Sequence, residues 1–124
     1  MNRSLLLALP VLLIVGCAVS GPIVSGSNKS GFDGAVYAGQ TTVVNETPIS
    51  GKTYRVFNQG STGFVSADGN LEDAKNRAKS FCHEKDLRYR LLSETISTPP
   101  HVLGNFPRAE IVFECVEKPK QEHQ

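Results

Sequence analysis

The chain is short of almost everything that would name a chemistry. It has no charge excess: 13 Lys and Arg stand against 12 Asp and Glu. That leaves no basic stripe for nucleic acid and no polybasic segment for an anionic lipid surface. After the first fifteen residues no second long apolar run occurs, so nothing in the body of the sequence reads as a membrane-spanning helix. The three cysteines and three histidines fall at no spacing that assembles a zinc quartet. No serine stands in a nucleophile elbow. Gly60-Ser61-Thr62-Gly63 is not followed by Gly-Lys-Ser/Thr and reads as a turn, not a phosphate cradle. The acidic residues are scattered over expected solvent faces without forming an acid/base pair, and Glu84 and Asp86 flank a helix end. Cys82-His83, with His101 and Cys115, invites a metal or nucleophile reading. Adjacent helical residues point about 100° apart, however, which suits neither. No cofactor is expected, and no enzyme.

What the sequence does have begins at its N-terminus. Met1 to Ser4 carry Arg3 and the free amine, followed by the apolar run Leu5 to Val15, broken only by Pro10. The run has the length of a secretory signal and is too short to span a bilayer. It closes in Ile14-Val15-Gly16-Cys17, which resembles the lipobox of bacterial lipoproteins. The resemblance implies a signal peptide over residues 1–16, a thioether-linked diacylglycerol on Cys17, cleavage before it, and acylation of the new amine. Each buried methylene then contributes about 0.8 kcal/mol, and two or more chains hold a protein stably on a membrane. Ala18, where an aspartate would favour the inner membrane, implies an outer-membrane lipoprotein facing the periplasm or the surface. The alternative is a secreted protein with Cys17 as a stray thiol, which leaves an odd cysteine in an oxidising compartment.

Without the signal the basic and acidic side chains balance. Residues 17–51 read as lipid anchor and flexible tether: Ala18 to Gly34 is rich in Gly and Ser. Gln40 to Val44 has strand propensity but poor alternation. The compact domain is expected over residues 52–116. Thr53 to Asn58 reads as a strand, Gln59 to Gly63 as a turn, and Phe64 to Ser66 as further strand ended by Ala67-Asp68-Gly69. A helix is expected from Leu71 to Glu84 with Asn70 as N-cap. Its apolar arc is Leu71, Ala74, Ala78, Phe81 and Cys82, with Asp73 and Arg77 as an i,i+4 pair. Arg88 to Ser97 and Arg108 to Val116 read as strands. In the second, Ala109, Ile111, Phe113 and Cys115 share the more apolar face. Glu117 to Gln124 reads as a disordered tail.

The two periodicities aim Cys82 and Cys115 at one interface, so a Cys82–Cys115 disulfide is expected, worth about 3–4 kcal/mol in the chain-entropy model. The order β-β-α-β-β gives a small α+β fold: an antiparallel sheet with one helix on one face and one disulfide. The helix pattern and the closing Phe113-Glu114-Cys115 are similar to small bacterial envelope lipoproteins, among them the stress-sensing lipoproteins of the Rcs system. Those carry a tether and a domain with more than one disulfide. No functional residue carries over.

Two surfaces stand out as partner sites. The loop Thr98 to Pro107 holds Pro99, Pro100, His101, Val102, Leu103 and Phe106, with Phe106 as the expected anchor. The outer sheet face would carry Leu92, Ile96, Val112 and Val116 if Arg88 and Arg90 oppose Glu114 and Glu110. The competing readings are that the loop folds back over the core edge and that another segment covers the sheet. The function expected is a non-catalytic envelope lipoprotein that binds a protein partner, as accessory subunit or sensor. Inhibition of a periplasmic hydrolase such as a lysozyme or protease is the alternative.

Overall fold

A computed structural model describes residues 18–60 and 66–120. The lipobox and residues 1–17, the segment 61–65 with most of the expected second strand, and residues 121–124 lie outside the described residues. The fold is α+β: one antiparallel sheet, one helix packed against it, and a Cys82–Cys115 disulfide with a Cα–Cα distance of 5.3 Å.

The elements in chain order are β1 (Ala18–Ser20), β2 (Val24–Ser25), β3 (Gly39–Val43), β4 (Thr53–Gly60), α1 (Ala67–Glu84), β5 (Arg88–Ser97) and β6 (Arg108–Val116). The sheet runs β1-β4-β6-β5-β3, and β2 shares the β4 edge with β1. The expected strands over Arg88–Ser97 and Arg108–Val116 form the central hairpin, with Tyr89 opposite Cys115 and Leu91 opposite Phe113. Alternation puts Val56, Ile111, Phe113 and Cys115 on one face, where they meet Ala74, Ala78 and Cys82 of α1 in a single buried cluster. Tyr54, Phe81 and Tyr89 close around Phe113 with ring centroids 5.5–6.0 Å from it.

The helix starts a turn earlier than its apolar arc suggests. Ser66 is the N-cap, its hydroxyl accepting the Gly69 N–H at 2.9 Å. Ala67-Asp68-Gly69 is therefore the first turn and not a break. Asn70 lies inside the helix, buried, donating from its side chain to the Pro107 carbonyl. Asp73 and Arg77 both turn to the amide of buried Asn58: Asp73 accepts at 3.0 Å and Arg77 donates at 3.1 Å. The C-terminus is a Schellman turn without glycine. Leu87 N–H reaches the Cys82 carbonyl and Asp86 N–H the His83 carbonyl, with Asp86 at φ +57°.

Residues 18–51 correct the tether expectation. Three strands in this stretch pair with β4 and β5; Ile23, between β1 and β2, packs on the helix-side core, while the segments after β2 and after β3 reach the outer sheet face at Glu110 and Glu114. Its glycines serve close approach: a Cβ on Gly21 would collide with the Phe57 carbonyl, and one on Gly31 with the Phe57 ring.

That covering corrects a second expectation. Glu110 and Glu114 are 3% and 0% exposed and do not face solvent. Glu110 accepts from the Ser30 hydroxyl and the Gly31 N–H, each at 2.7 Å, and pairs with Arg55. Glu114 accepts the Ile49 and Ser50 N–H groups at 3.0 and 3.2 Å and the Ser50 hydroxyl at 3.0 Å, and pairs with Arg90 at 3.1 Å. Burial pushes the Glu114 carboxyl up, but these donors outweigh it and hold it below the ordinary range.

The outer apolar patch does not form as expected. A bulge between Leu91 and Ser93 reverses the facing of β5 beyond it, so Ile96 lies opposite Ala109 on the helix side. Leu92 and Val116 are buried, and the loop after β3 crosses here, with Val44 N–H donating to the Leu92 carbonyl.

Candidate functional site

The loop after β5 and the segment before β3 leave the sheet at one end, because Gly39 pairs with Ser97. They are tied to each other. The Tyr37 hydroxyl donates to the Leu103 carbonyl at 3.0 Å, and the Arg108 guanidinium donates to the Tyr37 carbonyl at 3.0 Å and to Asn105 Oδ1 at 3.3 Å. Arg108 lies 4.7 Å over the Phe32 ring. It is 8% exposed, and burial lowers its pKa from the ordinary value. Asn105 holds the loop from inside, donating to the Thr98 and Pro100 carbonyls, each at 2.9 Å.

On this frame stand apolar side chains that do not fold back. Leu103 is 90% exposed, Val102 57% and Phe106 44%, and Val36 across the cleft is 93%. Leu103 also sits at φ +54°, ahead of Gly104 at +82°. A large aliphatic residue in the left-handed region costs of order 1–2 kcal/mol, and exposing it adds to that. Exposure and a left-handed backbone at one loop tip make it a candidate contact surface. Of the six loop residues singled out from sequence, Pro99, Pro100, Val102 and Leu103 share a cleft of about 410 Å³ with Val36 and Tyr37. His101 and Phe106 do not line it: His101 Nε2 is 2.9 Å from the Ser97 hydroxyl, and Phe106 is exposed beside the cleft's residues in the chain. Val36 and Tyr37 were missed, and Val36-Tyr37 next to a strand-forming run was the signal available.

Ser97 and His101 have the types of a nucleophile and a base. Ser97, though, is 3% exposed, and its oxygen already accepts the Arg108 N–H at 2.9 Å. The pair closes the base of the loop. Among the described residues no three His, Cys, Asp or Glu side chains gather as a metal site, and Cys82 and Cys115 are spent on each other.

The opposite end of the sheet is charged. Lys79, Ser80 and His83 of α1, Leu87, Arg88 and Tyr89 of the turn and β5, and Lys118 line a groove of about 700 Å³. Its lining joins the apolar Leu87 and Tyr89 to the cations Lys79, Arg88 and Lys118. Lys118 Nζ holds Asp86 at 2.7 Å, and its hydrogen bond and charge lower the Asp86 pKa. The Tyr89 hydroxyl is buried with no partner; burial, then the charges of Glu94 and Glu72, push it up to about 12. Neither His83 nor Arg88 was expected to share a surface, because the loop between them disguises the Schellman turn that folds β5 back beside α1.

No protein-family model, no curated protein and no solved structure matches the chain.

Proposed function

We propose that the chain is a non-catalytic cell-envelope lipoprotein. It is anchored through diacylglycerol on Cys17 and binds a protein partner through the groove at the end of the domain remote from Cys17. The observation that carries this is the two-ended build of the domain. Ala18, the residue after Cys17, pairs with Gly60 at the loop end, while the groove opens where Arg88 pairs with Val116. An anchored domain offers its free end to soluble partners. The groove combines the apolar Leu87 and Tyr89 with the cationic Lys79 and Arg88. That combination suits an extended acidic segment, with aromatic area for affinity and positive charge for encounter.

The test is a photo-crosslinking side chain at Arg88 and, as control, at Val43 on the sheet edge, in cells. A discrete adduct from position 88, lost in Lys79→Glu, supports the reading. Equal adducts from both positions, or none from 88, contradict it.

A further inference from the structure

We propose that the loop end of the domain rests on the bilayer, with Val36, Val102, Leu103 and Phe106 entering its interfacial layer beside the lipid on Cys17. The inference rests on the lipobox reading of Cys17 and adds an orientation to it. β1 starts at Ala18, so no linker residue separates the acylated position from the sheet. Ala18 lies opposite Gly60, whose N–H donates to the Pro107 carbonyl at 2.9 Å. Two strand spacings, roughly 10 Å, therefore separate Ala18 from the end of the apolar loop. An anchor at this point holds the loop end, and not the groove, against the headgroups.

The composition of that end fits the placement. Residues 34–44 and 98–107 contain no Asp, Glu, Lys or Arg. Neither segment brings an ionised group of its own to the lipid; an exposed carboxylate, Asp68 of the first turn of α1, stands beside Thr98, Pro99 and Pro107. Exposed aliphatic and aromatic side chains gain from leaving water. The anchor makes contact intramolecular, so even weak side-chain insertion is strongly populated. The Tyr37–Leu103 and Arg108–Tyr37 bonds fix the two segments before contact, so little freedom is lost on insertion. A soluble protein partner would find the same patch crowded by the membrane surface. Because the two inserting segments carry no Asp, Glu, Lys or Arg, the contact should depend little on lipid charge or salt.

The chain contains no tryptophan, so a single one reports its own surroundings. Leu103→Trp is placed in the full lipidated chain, with Glu117→Trp as the remote control, in protein-free phosphatidylcholine vesicles. Emission from position 103 should shift to the blue and be quenched by lipids brominated near the headgroup. It should do so equally with added phosphatidylglycerol and in high salt, while position 117 stays solvent-like. Solvent-like emission from position 103 in a chain whose Cys17 peptide carries the lipid mass overturns the orientation and leaves the lipobox reading intact. A Cys17 peptide without lipid overturns both. A shift seen only in native membranes assigns the patch to a membrane protein and overturns the lipid contact.

Discussion

Glu114→Gln isolates what holds residues 44–51 to the sheet. The carboxylate is fully buried and accepts two loop N–H groups, a hydroxyl and Arg90. The amide keeps the shape but turns one acceptor oxygen into an NH2. Whichever way it is flipped, a buried donor is left facing a donor, at about 1–3 kcal/mol. The surviving bonds fall from charge-assisted to neutral strength, and the expected total loss is about 2–4 kcal/mol. For a domain of this size that lowers Tm by roughly 10–25 °C. Urea unfolding measures the free energy, and hydrogen exchange at the Ile49 and Ser50 amides should accelerate. The pH dependence has a fixed sign. The folded carboxyl titrates below its ordinary 4.5, so its stabilisation is complete above the unfolded pKa and is lost as pH falls through the folded one. The gap between wild type and variant should thus be constant near neutrality and narrow in acid. A loss below about 0.5 kcal/mol, or a gap that widens in acid, refutes the role given to Glu114.

Other expectations follow from the same contacts. Replacing Cys82 and Cys115 together with Ala should cost about 3–4 kcal/mol in urea unfolding, and thiol labelling of the oxidised protein under denaturing conditions should find neither cysteine free. Gly31→Ala, which drives a methyl into the Phe57 ring, should lower Tm clearly although the residue lies in a glycine-rich segment. Asp86→Gly relieves a positive φ and gives up only an exposed ion pair with Lys118, so it should stabilise by about 0.5–1 kcal/mol. Phe106→Ala should cost about 1–2 kcal/mol, below the 3–5 of a core phenylalanine, because the ring is half exposed.

The helix-facing half of the molecule was legible because its signals are periodic. Ala74, Ala78 and Cys82 repeat at helical spacing, and Ile111, Phe113 and Cys115 at strand spacing, so the two stripes and the disulfide between them could be read together. The other half was not, for three physical reasons. Glu110 and Glu114 alternate as solvent residues do, and only backbone donors from distant loops reveal that they are buried. Gly21 and Gly31 look like linker glycines, yet each is small because backbone or ring presses on it. The bulge at Leu92 inserts one residue, which carries no composition signal and reverses every side chain beyond it. In the candidate site, the apolar loop could be read from Val102, Leu103 and Phe106. Its pairing with Val36 and Tyr37 depends on β3 joining the far edge of the sheet.

The central claim is that this domain is held at a membrane by its own first residues. The most direct measurement is the mass of the mature N-terminal peptide from membrane material. The account predicts a chain that begins at Cys17 and carries a diacylglyceryl group, with Cys17→Ser remaining uncleaved and failing to gain the lipid. A mature N-terminus at any other residue, or a free thiol on Cys17, contradicts it.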